Sequence, residues 1–134
     1  MHTYMQRNLC DKIIKLDHNI RFVGIVNSKG EVIEGGFQQG VRPLLNETEE
    51  QQMYIQSLWN LTTLESYSGR LGKVRYSITE HDKVTLMTFP LGNGILCLST
   101  TPKANTNKIR DKVMQAIKEK SVKKKATRKK NAKG

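Results

Sequence analysis

The alternation of apolar and polar positions predicts a helix followed by a β-hairpin at the start of the chain. Apolar residues recur at helical spacing between about Thr3 and Leu16. The segment Ile20 to Val26 is almost continuously apolar, which is typical of a central strand buried on both faces. A turn that ends at Gly30 leads into a second strand, which we expect Gly35-Gly36 to interrupt.

A longer amphipathic segment predicts a central helix that begins after Asn46. Asn46 is a favourable N-cap, and Glu49 three residues later can complete a capping box. We expect this helix to run to about Tyr67. Its apolar residues cover more of the helix surface than one stripe facing a sheet requires, which predicts either deep burial or a partner on the second side. These residues are Met53, Tyr54, Ile55, Leu58, Trp59, Leu61 and Leu64.

The second half of the chain predicts three strands and a last helix. The stretch KVRYSITE, residues 73–80, alternates apolar and polar side chains, as a strand with one solvated face does. Short turns lead from it into VTLMTFPL and then ILCLST, so we expect an antiparallel meander. A helix follows Pro102, with Thr106 as its expected cap. Its expected buried stripe is Ile109, Val113, Ala116 and Ile117.

The resulting order, α-β-β-α-β-β-β-α, predicts an α+β domain built on a five-stranded antiparallel sheet. A chain of 134 residues has room for one such domain. No apolar run is long enough to span a bilayer, and the first residues lack the apolar middle of a signal peptide. We therefore expect a cytoplasmic protein without a membrane span.

Charge is distributed unevenly along this chain. The formal net charge is +11, from 23 basic and 12 acidic residues. All 12 acidic residues precede Lys120, together with 15 of the basic ones, so residues 1–119 carry +3 and residues 120–134 carry +8. This division predicts a folded domain over residues 1–119 and a flexible, lysine-rich tail over residues 120–134.

The tail predicts contact with a polyanion such as nucleic acid. Because it contains no aromatic residue, it offers phosphate contacts without base stacking, and so affinity without sequence preference. A tail that serves only solubility, an anionic membrane surface and an acidic protein partner remain alternatives. The basic residues that would make the contacts are Lys120, Lys123, Lys124, Lys125, Arg128, Lys129, Lys130 and Lys133.

No residue pattern in the sequence predicts catalysis, a cofactor or a metal site. His2, His18 and His81 have no neighbouring Ser, Cys or carboxylate in the arrangement of a catalytic relay. Cys10 and Cys97 lie far apart in the chain and predict two buried free thiols. We therefore expect a protein that is not an enzyme.

Three segments of the chain resemble the roadblock family of small dimeric domains, which have a profilin-like architecture. They are the hairpin FVGIVNSKGEVIEGG, the helix from Asn46 to Tyr67 and the meander KVRYSITEHDKVTLMTFPLGNGILCLST. Val23-Gly24-Ile25 and Leu71-Gly72 are also similar to an uncharacterised family of small archaeal proteins. The segment FQQGVRPLL and the lysine-rich tail depart from the roadblock pattern. A PAS-like sensor domain has a similar order of strands and stays open as an alternative.

The roadblock resemblance implies that the first and last helices cover one face of the sheet and the central helix the other. It also implies a homodimeric scaffold or regulator, often beside small GTPases, in which third strands pair edge to edge and central helices pack together. A non-specific nucleic-acid-binding protein and a PAS-like sensor of a small ligand are the alternative functions. The implied dimer interface includes Tyr54, Ser57, Leu61, Leu64, Lys73, Arg75 and Ser77.

Overall fold

A five-stranded antiparallel sheet forms the middle of the domain. The computed structural model describes the backbone of residues 9–133 and the side chains of residues 9–121. The strands lie in the order β2-β1-β5-β4-β3, so β2 and β3 are the two edges of the sheet. They are β1 (Ile20–Val26), β2 (Val32–Phe37), β3 (Ser77–Glu80), β4 (Thr85–Leu91) and β5 (Gly94–Thr100).

Four helices accompany the sheet in the described part of the chain. Helix α1 is helical at residues 9–14, and the start predicted for it, near Thr3, lies outside the described residues. The element order and the antiparallel sheet confirm the predicted α+β fold, to which the short helix α3 is an addition. The other helices are α2 (Glu47–Glu65), α3 (Ser68–Leu71) and α4 (Thr106–Lys133).

Helices α1 and α4 cover one face of the sheet together and form the larger core. The apolar stripes predicted for both helices point into it, which confirms those predictions. Burying each large apolar side chain contributes about 1.5–3 kcal/mol, so this cluster is the main source of stability. Its buried members are Leu9, Cys10, Ile13, Ile20, Val23, Met87, Phe89, Leu96, Leu98, Ile109, Val113 and Ala116.

Helix α2 covers the opposite face and packs over β1 and β5. A smaller cluster lies beneath it, with Met53, Leu58 and Leu61 packed at its margin. This division of helices between the two faces is the one that the roadblock resemblance implies. The buried members of the smaller cluster are Phe22, Val26, Tyr54, Ile95 and Cys97.

The capping box predicted at the start of α2 is confirmed. The Asn46 side-chain oxygen accepts from the Glu49 backbone N–H at 2.8 Å, and a Glu49 carboxylate oxygen accepts from the Asn46 N–H at 2.9 Å. At the other end, α2 stops at Glu65 and the chain continues into α3. Gly72, with φ of 86°, ends α3.

Strand β2 runs through Gly35-Gly36, and the prediction that these glycines interrupt it was wrong. Gly35 lies opposite Gly24 of β1 in a continuous ladder. The register shifts instead between Ile25 and Val26. A pair of facing glycines lets the two backbones approach closely, so the glycines permit this pairing.

Strand β3 is shorter than predicted, because only the second half of residues 73–80 is paired. Ser77 lies opposite Thr88 of β4, and continuing that register would place Arg75 opposite Pro90. Proline has no N–H to donate to a ladder. The first half of the predicted strand, including Lys73, therefore stays outside the sheet.

Helix α4 begins at Thr106, but its cap is the preceding residue. The Asn105 side-chain oxygen accepts from the Lys108 N–H at 3.1 Å, so Thr106 is not the capping residue as predicted. The helical backbone continues to Lys133, and the segment contains neither proline nor glycine to stop it. No break in the helix marks the expected boundary at Lys120, and the flexibility of residues 120–134 stays a prediction.

Candidate interaction surface

One flank of helix α2 is packed against its own protomer. Gly30, in the turn between β1 and β2, lies beneath Ile55, and a Cβ atom on Gly30 would come 2.5 Å from the Ile55 Cγ1 atom. The side-chain oxygen of Asn27 fixes this turn by accepting from the N–H groups of Lys29 and Glu31, each at 3.0 Å. This side of α2 is therefore closed to a partner.

The middle of α2 also packs against its own protomer. Tyr54 is only 4% exposed, and its ring stacks on that of Phe22, with 6.0 Å between centroids. Burial, helped by the nearby charge of Glu50, raises the pKa of Tyr54. Of the residues that the roadblock resemblance places in a dimer interface, Tyr54 is the one with the least surface to offer a second copy.

The remaining flank of α2 is open. Ser57, Leu61 and Leu64 lie on successive turns and form what we call the open flank. Ser57 and Leu61 are half-buried, whereas Leu64 is 38% exposed. The Ser57 hydroxyl donates to the Met53 carbonyl at 2.9 Å, so this polar group is satisfied within the helix. The open flank is therefore an apolar surface that no described element covers completely.

The edge strand β3 and the segment before it form the second part of the surface. Within the described sheet, β3 pairs with β4 on one side and leaves its other side unpaired. Ser77 is half-buried, whereas Lys73 and Arg75 are exposed in the unpaired segment. The predicted interface residues of this region thus lie in β3 and in the segment that precedes it.

Large exposed apolar residues accompany the end of α2. Trp59 is 69% exposed, Tyr67 56% and Leu71 79%. Trp59 belongs to the apolar positions predicted on α2, whereas the exposure of Tyr67 and Leu71 was not predicted. The sequence does contain an indication that Tyr67 and Leu71 are exposed, because both lie among polar and glycine residues just before the edge strand.

A cavity of about 260 Å³, which we call the α2 cavity, opens beside the first half of α2. Its lining is mainly apolar and comes from the strands, from α2 and from the segment that joins β2 to α2. Arg21, Glu50 and His81 also line it, as do the titratable groups of Tyr54 and Cys97. No pattern in the sequence predicted this cavity, because the residues that line it are far apart in the chain.

The two thiols are buried on opposite faces of the sheet, as predicted for free cysteines. Burial raises the pKa of Cys10 to about 12, and the nearby carboxylate of Glu34 adds to the effect. Burial alone raises the pKa of Cys97 to about 12. Both groups are therefore protonated at neutral pH and are poor nucleophiles.

Glu34 lies on the inner side of the edge strand β2, beside Cys10. One of its carboxylate oxygens is buried without a hydrogen-bond partner in the described structure. Burial raises the pKa of Glu34, the positive charge of Lys120 opposes this, and the negative charge of Asp11 adds to it. The first residue of the lysine-rich segment thus lies close enough to Glu34 to stabilise its charged form.

The histidines form no site in the described part of the chain. His18 is almost fully exposed, with its nearest carboxylate on Asp17 at 3.9 Å, and His81 is exposed in the turn between β3 and β4. His2 lies outside the described residues. Residues 9–121 bring together no group of three His, Cys, Asp or Glu side chains that could hold a metal ion.

The basic residues predicted to contact a polyanion follow one another along α4. Lys120 is exposed. The other seven lie on a helical backbone, and their side chains are outside the described ones. None of the described helices is both long and apolar enough to cross a membrane.

A family model for proteins of unknown function, DUF6659, matches residues 3–126. The chain belongs to this family. The match covers the sheet, both of its helical faces and the start of the lysine-rich segment. Among curated proteins, no relative was found.

Solved structures with the same fold are roadblock domains of low sequence identity. Myxococcus xanthus MglB has a TM-score of 0.70 and 16% identity, with 94% of this chain and 99% of that chain covered. A Roadblock/LC7 domain from Streptomyces avermitilis has a TM-score of 0.63 and 14% identity, covering 84% of this chain and 92% of that one. The gliding protein MglB from Thermus thermophilus has a TM-score of 0.64 and 12% identity, with coverage of 82% and 83%.

These likenesses confirm the roadblock fold expected from the sequence. At identities of 12–16% they show the fold alone. They do not support the predicted resemblance to an archaeal family.

Proposed function

We propose that this DUF6659 protein is a non-enzymatic, homodimeric interaction module of the cytoplasm. The observation that carries the proposal is that the described domain leaves uncovered both the open flank of α2 and one edge of β3. An apolar helix flank and an unpaired strand both gain from a second copy. The flank buries apolar surface, and the strand acquires a hydrogen-bonded neighbour.

A two-fold axis beside β3 would satisfy both features at once. An isologous interface brings the same patch of each copy together, so β3 would pair with β3 and the open flanks would face each other. The sheet would then continue across the interface. Lys73 and Arg75 would lie along the junction of the two β3 strands. Their charges would limit uncontrolled edge-to-edge association with further copies.

Support for this arrangement comes from the exposed apolar residues at the end of α2. Leu64 and Tyr67 would be covered if the helices of two copies packed side by side. Interfaces are enriched in large aromatic residues and depleted of charge at their centres. From Gln51 to Leu64 the sequence of α2 carries no charged residue at all, which suits a helix that meets a partner.

The basic segment would serve as an auxiliary tether to a polyanion in this proposal. Its eight basic residues contrast with a domain whose net charge is only +3, so the tail adds affinity for phosphates without a recognising surface. Non-specific nucleic-acid binding as the main function is the second candidate, and the same charge favours it. A small GTPase is the protein partner that the roadblock resemblance favours.

Sedimentation velocity of the purified chain tests the proposed dimer. We expect a dimer at tens of micromolar protein, because strand pairing and helix packing would both contribute to the interface. A protein that stays monomeric over this range would contradict the proposal. Pull-downs from extract with the intact and tail-deleted chains, with and without nuclease, then separate protein partners from nucleic acid.

A further inference from the structure

The α2 cavity has an aromatic floor. The ring of Phe22 lies at its centre, with the ring centroid of Phe37 at 4.9 Å and that of Tyr54 at 6.0 Å. Met53 and Leu86 extend this apolar lining on either side. A cavity of about 260 Å³ is larger than an engineered apolar cavity of about 150 Å³ that binds benzene. The space therefore suits an apolar group of the size of a large amino-acid side chain.

One wall of the cavity is formed by the segment that joins β2 to α2, and this segment is fixed in place. The Gln38 side-chain amide donates to the carbonyls of Ile14 and Ile20, at 3.1 and 3.3 Å. Further along, Leu44 and Leu45 line the cavity while remaining 59% and 37% exposed. The wall belongs to the part of the sequence that departs from the roadblock pattern.

Two oppositely charged side chains, Arg21 and Glu50, line the cavity and do not form a salt bridge with each other. One Arg21 nitrogen, Nη2, donates to the Arg42 carbonyl at 2.9 Å, which leaves further N–H donors of the guanidinium for another acceptor. Burial, together with the negative charge of Glu47, raises the pKa of Glu50. A carboxylate in this situation gains from a cation placed beside it. Within the described residues, neither Arg21 nor Glu50 takes part in a salt bridge.

We propose that the α2 cavity binds a small apolar α-amino acid in its zwitterionic form. The ligand carboxylate would accept from Arg21, the ligand ammonium would donate to Glu50, and the apolar side chain would lie against Phe22 and Tyr54. Arg21 and Glu50 both line this apolar cavity, so the lining offers one group to a carboxylate and one to an ammonium. Ser57 lines this cavity and also belongs to the open flank, but the proposed ligand contacts include neither Leu61 nor Leu64, so the site goes beyond the proposed function.

L-phenylalanine and two truncated analogues test the ligand class. Titration of the ¹⁵N-labelled full-length chain, followed by NMR, should show saturable shifts at signals of cavity residues. The ligand efficiency typical of small molecules predicts a Kd on the order of 1 mM for phenylalanine. 3-Phenylpropionate lacks the ammonium and 2-phenylethylamine lacks the carboxylate, so each should bind more weakly. Equal binding of all three, or shifts scattered over the surface, would overturn the proposal.

Substitutions of Arg21 and Glu50 give a sharper test, because a residue of the same charge lies near each of them and can be substituted as a control. Arg21→Gln should weaken phenylalanine and phenylpropionate about tenfold, as expected for loss of a hydrogen bond to a charged group, and leave phenylethylamine unchanged. Glu50→Gln should weaken phenylalanine and phenylethylamine and spare phenylpropionate. Arg42→Gln and Glu47→Gln remove exposed charges of the same kind close by and should change none of the three. If a control variant lost as much affinity as its partner, the effect would be general electrostatics and the proposal would fail.

A cavity-filling variant tests the position of the site. Thr88 lines the cavity from β4 and is half-buried, so the ring of Thr88→Phe would occupy the space without entering the main core. This variant should stay folded by circular dichroism and lose phenylalanine binding. The Leu61→Glu variant should keep that binding, whether it is a monomer or a dimer. If Leu61→Glu abolished binding in a folded protein, the cavity would belong to a contact between copies instead.

Discussion

Gly35 of β2 lies directly against Val23 of β1, since a Cβ atom on Gly35 would come 2.1 Å from the Val23 carbonyl oxygen. Gly35 also has φ of 103°, a conformation that residues with a side chain rarely adopt. Its neighbour Gly36 has neither constraint, because nothing lies within 4 Å of the corresponding position and its φ is not positive. Of two adjacent glycines, the fold therefore requires only the first.

Alanine substitutions at these two positions should have opposite consequences. Gly35→Ala must move a backbone carbonyl and strain φ, so we expect it to destabilise the protein by about 1–3 kcal/mol. Gly36→Ala should be neutral or slightly stabilising, by up to about 1 kcal/mol, because it restricts the unfolded chain. Urea denaturation of both variants measures the difference. Equal effects would mean that the close approach of β1 and β2 is wrong.

A charge on the open flank of α2 should dissociate the proposed dimer. Leu61 packs at the margin of the smaller core cluster and remains half-buried in the protomer. A buried glutamate at this position should weaken the interface by about 2 kcal/mol or more, roughly thirtyfold in Kd. Sedimentation equilibrium gives the dissociation constant, and circular dichroism shows whether the variant is folded.

Thr63→Glu is the matched control for this experiment. Thr63 is exposed, and it lies half a helical turn away from Leu61, on the outward side of α2. The added charge is the same, but the proposed interface does not include this side. If Thr63→Glu dissociated the dimer as strongly as Leu61→Glu, the interface would have to be placed elsewhere on α2.

Glu34 should make the protein less stable as pH rises from 4 to 7. Burial raises the pKa of this carboxyl above its ordinary value of 4.5, with Lys120 opposing and Asp11 adding to the shift. Below pH 4.5 both folded and unfolded forms are mostly protonated, and the burial carries no electrostatic cost. Above it the unfolded chain releases its proton more readily, which favours unfolding.

Glu34→Gln removes this titration and should therefore gain stability over the wild type as pH increases. Thermal unfolding of both proteins at pH 4 and pH 7 gives the comparison, and the gain should be larger at pH 7. The same change removes a negative charge that raises the pKa of Cys10, so thiol alkylation of the folded variant should be faster at alkaline pH. A gain that is greater at pH 4 would reverse the sign and reject the assignment.

Removal of residues 120–134 should abolish most non-specific binding to duplex DNA. Each phosphate contact contributes a slope of about −0.9 to the logarithmic salt dependence, so five contacts would lower affinity roughly 500-fold between 50 and 200 mM salt. Fluorescence anisotropy of the intact and truncated chains measures that slope. Lys120 and Ser121 are exposed and Glu119 keeps its 2.7 Å ion pair with Lys12, so the melting temperature should change little. A small decrease at neutral pH should follow from the loss of Lys120, which stabilises the charged form of Glu34. A truncated domain with the same slope would show that the tail is not the contact surface.

Local patterns determined most of the fold, because they report directly on burial along each element. The continuous apolar run of β1, bounded at Ile20 and Val26, matches a strand whose two faces both meet helices. The pair Asn46 and Glu49 fixed the start of α2, since both capping partners lie within one helical turn. The excess of apolar positions on α2 predicted either deep burial or a partner on the second side of this helix, and the described structure leaves part of the helix exposed.

Tertiary structure decided the features in which the partners are distant in sequence. The end of pairing in β3 depends on Pro90 of the neighbouring strand, and the need for Gly35 depends on the carbonyl of Val23. Tyr54 is buried because Phe22 lies beneath it, although its position on the helix resembles that of Leu61. The α2 cavity unites Arg21, Glu50 and aromatic rings from three elements. Periodicity along one segment records how much surface that segment buries, but the surface that it meets is set by the register and packing of other segments.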